Sequence, residues 1–155
     1  MGSHSHTIDI QIASRIKGIP DERAFKRWLL AALPQPAELT LRVVNAAEGR
    51  RLNCKFRGKD TATNVLTFIY HEKKSPLLMG DIVLCAPIVA LEARAQGKLL
   101  EAHYAHLVVH GALHLAGMDH EDEGSATAME KKEIAIVKAL GYSNPYANHE
   151  DQPAR

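Results

Sequence analysis

The stretch His110-Gly111-Ala112-Leu113-His114-Leu115-Ala116-Gly117-Met118-Asp119-His120 closes a run that is apolar on nearly every side. Its spacing predicts a helix from about Leu99 to Ala116. At 100° per residue, His103, His106, His110 and His114 share one narrow stripe of that helix. Tyr104, Ala105, Leu107, Val108, Val109, Ala112, Leu113 and Leu115 surround the stripe. A helix apolar nearly all round is a buried one, and burying imidazoles is costly unless their nitrogens find partners. His110 and His114 are one turn apart, so both rings can reach one cation. His106 and His114 are roughly 12 Å apart along the axis at about 1.5 Å per residue, too far to share an ion with bonds of about 2.1 Å. A third ligand must therefore come from chain that turns back. Gly117 can end the helix in a left-handed conformation, which would return His120 to the same ion. Three protein ligands leave a coordination position open, as catalytic sites do.

A core helix that merely carries histidines is the alternative, and His103 and His106 fit it as hydrogen-bonded or pocket-wall residues. The H-x3-H-x5-H spacing with a glycine at the turn is far more specific to a metal centre. The pattern departs from the metzincin protease signature at one place: Gly111 stands where those enzymes carry the Glu that acts as general base. Glycine has no side chain to take a proton. Proteolysis by that route is disfavoured, and another metal-assisted hydrolysis is expected.

The 155 residues suit one domain with a sizeable core, and 46% hydrophobic with 24% charged residues is the balance of a soluble globular protein. No apolar run is long enough to span a membrane, and no secretory segment follows Met1. Gly2 to His6 reads as a remnant foreign to the fold (residues 1–6), so His4 and His6 are set aside. Cys54 and Cys85 form no Cys-x-x-Cys pair, which points to a reduced, cytoplasmic setting. The net charge of +1 hides an asymmetry, because residues 1–100 carry 15 Lys and Arg against 9 Asp and Glu. The excess is densest from Arg50 to Lys59, which holds five basic residues and no acid. Such a run suits a polyanion, or is simply a solvated loop.

Alternation predicts strands at Thr7 to Ala13 and Glu38 to Val44, and β-formers predict a third, central strand at Val65 to Tyr70. A fourth is expected at Asp81 to Ala86. Pro20 should open a helix whose buried stripe is Phe25, Trp28, Leu29, Ala32 and Leu33. Ala46 to Leu52 suggests a short helix, and Pro87 opens another that Gly97 closes. A last helix should run from Ser125, as N-cap, to Leu140, with Met129, Ile136, Val137 and Leu140 inward and Gly141 as its cap. Asp119 is expected to cap the segment that follows it, with the orienting of a neighbouring imidazole as the alternative. The tail from Asn144 is expected to fray. The order implies an α+β fold: one domain over residues 7–143, with a mixed four-stranded sheet covered by about five helices and a zincin-like metal helix.

With these blocks in place, the chain resembles the YbeY family of bacterial rRNA-maturation endoribonucleases over nearly its whole length. His110 to His120 is similar to the family's H-G-x-L-H-L-x-G-[YH]-D-H, with Met118 at the aromatic or His position. Leu52-Asn53, Phe56-Arg57 and Thr63-Asn64-Val65-Leu66-Thr67-Phe68 resemble a second block, with Ala62 for its proline and Thr67 for its serine. Gly80-Asp81-Ile82 resembles a third. The resemblance implies a zinc ion at His110, His114 and His120 and a functionally important Arg57. It also implies cleavage of single-stranded RNA, maturation of the 3′ end of small-subunit rRNA, and ribosome quality control, with no DNA or membrane as partner. Three imidazoles would also accept nickel, copper or iron. Arg57, planar and always charged, is expected to stabilise charge on a phosphodiester under attack. The general base, and whether water or the 2′-OH attacks, stay open. The other readings are a peptidase-like or other metallohydrolase, and an RNA- or ribosome-binding protein with a structural metal.

Overall fold

The computed structural model describes residues 6–118 and 123–147. Its elements run β1 (Thr7–Ile12), α1 (Glu22–Ala32), β2 (Ala37–Val44), α2 (Ala46–Arg57), β3 (Val65–Ile69), β4 (Leu78–Cys85), α3 (Ala86–Gln96), α4 (Leu100–Leu115) and α5 (Glu123–Ala139). The four strands form one mixed sheet in the order β1-β2-β4-β3. β2 lies parallel to both β1 and β4, while β3 runs antiparallel to β4. The expected α+β class, four strands and five helices, is what the chain adopts.

Strand alternation sorts side chains between two faces. Leu39, Leu41 and Val43 of β2 and Ile82 and Leu84 of β4 join the main core with α1 and α4. Val83, one residue out of phase, joins Val44, Leu66, Leu52 and Phe68 in a second cluster on α2's side. Phe25 and Trp28 of α1 are fully buried, and Phe25 meets Trp28 and Tyr104 edge to face. Each such side chain contributes about 1.5–3 kcal/mol by leaving water. Asp21 caps α1 by accepting from the Ala24 N–H at 2.8 Å, where Pro20 was expected to open it. Helix α4 is buried over most of its length, as its composition requires.

Four expectations need correction. β3 is an edge strand, not a central one. Its β-former run is covered because helices lie over both faces of the sheet, which makes an edge look interior in sequence. α2 continues past Leu52 to Arg57, so most of the basic run is helical, and Gly58 ends it at φ +70°. α5 already includes Ser125, which is therefore not its N-cap. The tail does not fray at its start: Lys98 Nζ donates to the Pro145 carbonyl at 2.6 Å, and the Tyr146 hydroxyl donates to Glu133.

Gly80 explains the third sequence block. A Cβ there would lie 2.2 Å from the Phe68 carbonyl oxygen and 2.6 Å from Leu115 Cδ1. Glycine is what lets β4, β3 and the end of α4 converge. Gly80→Ala should lower stability by at least about 3 kcal/mol in urea unfolding, since backbone must move. Gly58→Ala meets open space and only an unfavourable φ; it should cost about 1–2 kcal/mol.

Candidate active site

Helix α4 carries the site because its sequence forces it inside. His103 is 4% exposed and His106 8%, so their imidazoles must find partners within the protein. His103 Nε2 donates to Glu92 Oε1 on α3 at 2.9 Å. Burial pushes the His103 imidazole below its ordinary pKa, against the pull of Glu92. His106 Nε2 donates to Glu133 Oε1 on α5, also at 2.9 Å. Both therefore play the hydrogen-bonded role expected of them.

His110 differs. Its Nδ1 donates to Glu133 Oε2 at 2.6 Å, while its side chain is 21% exposed against 1% for Glu133. Glu133 thus accepts from His106, His110 and Tyr146. Burial would raise its pKa, but those three hydrogen bonds hold it well below the usual carboxylate range. With Nδ1 committed, a cation would be bound by His110 through Nε2, and the carboxylate behind the ring is the usual support of a metal-ligating histidine. An imidazole supported in this way is a donor of the kind zinc takes. His114, one turn on, lines a cleft of about 420 Å³ with Lys73, Lys74 and Gly117.

The helix ends as the glycine predicts. Gly117 has φ +100°. The Gly117 N–H reaches the His114 carbonyl at 2.9 Å and the Met118 N–H reaches Leu113 at 3.0 Å, a Schellman cap. The third expected ligand, His120, lies outside the described residues with Asp119. Among the described residues, no group of three His, Cys, Asp or Glu side chains gathers to hold a metal.

Arg57 stands at the end of α2. Its Nη2 donates to the Thr67 carbonyl at 2.9 Å, on β3's open edge. The Thr67 hydroxyl in turn lies 3.5 Å from where a Cβ on Gly111 would sit. One strand residue therefore links the arginine to the turn of α4 that bears His110. Arg57, Lys59 and Phe56 line a cleft of about 490 Å³ along β3, and Ile69 borders both this cleft and that of His114. Tyr70 also lines the cleft along β3, with its hydroxyl donating to Asp81 at 2.7 Å. That bond, with burial, pushes the phenol up to about 12.

Glu133 is the residue that motif spacing does not pick out. It had a signal: it sits four residues from both Met129 and Val137, in the middle of α5's apolar stripe. An acid at such a position needs an inward partner.

A family model described as Endoribonuclease YbeY matches residues 8–141. The chain is 59% identical over 128 residues to the Endoribonuclease YbeY of Aromatoleum aromaticum, covering 83% of this chain and 82% of that one. It is 55% identical over 134 residues to that of Azoarcus sp., a longer protein: the match spans 83% of this chain but 53% of the other. Among solved structures it is similar to the solution structure of TM1509 from Thermotoga maritima, with TM-score 0.59 and 27% identity, covering 90% of this chain and 99% of that one.

Gly111 has a packing reason as well as a chemical one. A Cβ there would stand 3.1 Å from Ile82 Cγ2. Gly111→Glu, which would restore the protease signature, should create no peptidase. Burying a carboxylate beside Ile82 should instead destabilise the fold by several kcal/mol, read as a lowered urea midpoint.

Proposed function

The chain belongs to the Endoribonuclease YbeY family, and from that premise we propose that it is a metal-dependent endoribonuclease acting on single-stranded RNA. Its substrate on this reading is the 3′ end of small-subunit rRNA, and its working partner is the small ribosomal subunit. No helix among the described residues is long and apolar enough to cross a membrane. The setting proposed with this reading is cytoplasmic.

The observation that carries the reading is the meeting of two chemistries across β3. On one side His110 is oriented by Glu133 and followed one turn later by His114; on the other Arg57 is fixed on Thr67. His110, His114 and His120 would hold zinc. A zinc ion there supplies Lewis acidity, lowering the pKa of water and polarising a phosphoryl oxygen.

The chain's own residues do the rest. One Arg57 donor is engaged by Thr67, which aims the planar fork along the cleft, where it can clamp two phosphate oxygens and stabilise the charge that builds on them. Lys59, Lys73 and Lys74 supply backbone attraction, which weakens as salt rises. Phe56 and Tyr70 are 57% and 63% exposed beside the cleft. Flat aromatic faces there suit the stacking of unpaired bases, which a duplex withholds. Tyr70 stays protonated through neutral pH, because its raised pKa lies far above it.

Zinc-loaded protein should cleave a single-stranded RNA oligonucleotide and spare the same sequence in duplex. Arg57→Ala should lower kcat/KM by about 10²–10³-fold, the scale of losing one donor to developing charge. His114→Ala should lose both metal and activity. Equal rates from all three proteins would overturn the proposal and point to a contaminating nuclease.

A further inference from the structure

We infer that Glu133 is a positioning residue of the proposed metal centre, fixing the ring and tautomer of His110, and that Tyr146 and His106 hold its carboxylate to that task. The inference rests on the cation site proposed above and assigns it a part that lies outside the histidine motif.

The two oxygens of Glu133 divide the work. Oε1 accepts from His106 Nε2 at 2.9 Å and from the Tyr146 hydroxyl, while Oε2 accepts from His110 Nδ1 at 2.6 Å. Two donors on one oxygen fix the carboxylate plane. The other oxygen is thereby aimed at one imidazole. Glu133 is 0% exposed and has Met129 and Val137 one helical turn away on either side, both buried. A hydrophobic side chain would fill that place with no desolvation cost, whereas a carboxylate is tolerable only with its lone pairs satisfied. Three donors from two segments, helix α4 and the C-terminal arm, meet that condition.

The consequence for His110 is specific. A proton on Nδ1, held by a carboxylate, places the lone pair on Nε2, the nitrogen that would face a cation. Tyr146 brings the C-terminal arm into the centre. The arm is anchored by Lys98 Nζ on the Pro145 carbonyl at 2.6 Å and by a turn in which the Tyr146 N–H donates to Asn144 Oδ1 at 2.8 Å. Residues far from the histidine motif in sequence thus set the orientation of its first ring.

The test compares the full native chain with Glu133→Gln and Tyr146→Phe. Zinc dissociation constants are measured by competition with a chromogenic chelator. Ring protonation of His110 in the metal-free proteins is read from long-range ¹H–¹⁵N spectra. The native chain should hold His110 as the Nδ1–H form. Glu133→Gln should bind zinc about 10–100-fold more weakly, the usual effect of losing such a partner, and should populate the Nε2–H form. Tyr146→Phe keeps the carboxylate and should weaken zinc only a few-fold, so it remains informative if Glu133→Gln does not fold. A role in packing alone would lower the melting temperature of the metal-free variants and leave the zinc constants of the folded ones unchanged. Unchanged constants in both variants, beside a native chain that binds zinc tightly, overturn this inference alone. A native chain that binds no zinc overturns the cation reading and this inference with it.

Discussion

The burial of α4 is the constraint on which the rest depends. A helix with apolar residues on nearly every side must be enclosed, and this one encloses imidazoles along with its leucines and valines. Each unpaired buried polar group would cost about 1–3 kcal/mol, comparable to what one buried leucine contributes. The partners come from other helices: Glu92 of α3 takes His103, and Glu133 of α5 takes His106 and His110. Apolar surfaces alone tolerate small rotations and slides of one helix on another. Carboxylate–imidazole pairs do not, because a shift of an ångström breaks the bond and strands two buried polar groups. The polar contacts therefore set where α3 and α5 sit on α4, and the apolar contacts hold them there.

That setting carries through to the sheet. Gly80 lets the end of α4 and β3 close on β4, and Gly111 lets α4 approach Ile82 and Thr67. With both glycines in place, β3 lies against the turn that bears His110. Its open edge then offers the Thr67 carbonyl to Arg57. An interior strand would have spent that carbonyl on a neighbour. The edge position of β3 is thus what allows an arginine from α2, on the opposite layer, to be fixed near a helix on the other face. Glycines that look in sequence like catalytic losses or turn residues act here as spacers that bring two layers together.

What could be read in the sequence follows the physics of each element. Strand alternation in β2 and the stripe of α1 report one-sided burial, and both fell where expected. The helical part of the histidine spacing and Gly117 are local, needing only helix geometry and a left-handed cap; His110 and His114 fall one turn apart on α4 and Gly117 caps it, while His120 lies outside the described residues. The place of β3 in the sheet is not local: a run buried by two layers of helix has the same composition as one buried between strands. Ser125 misleads because serine is a cap only where the helix happens to begin. Glu133 was legible as an acid inside an apolar stripe, but its partners lie 23 and 27 residues away on another helix. No spacing rule reaches across such a gap. Tyr146 was hidden for the same reason, since a polar C-terminal stretch looks the same whether it is frayed or docked.

The basic run from Arg50 to Lys59 shows how folding revises a charge count. As a linear decapeptide it looks like one polyanion patch. Coiled into α2 it is split. Arg50 is paired through two hydrogen bonds, of 2.6 and 2.8 Å, to Asp60, just beyond the run. Arg50, Arg51 and Lys55 line a separate cleft around that carboxylate, where their positive charge is partly cancelled and screened. Arg57 and Lys59 alone of the five line the cleft along β3. Removing Arg50 and removing Arg57 would change the net charge equally, yet only Arg57 is set on the strand that borders His114's cleft. Position on the helix, more than the number of charges, decides which of these residues can meet a phosphate undergoing reaction.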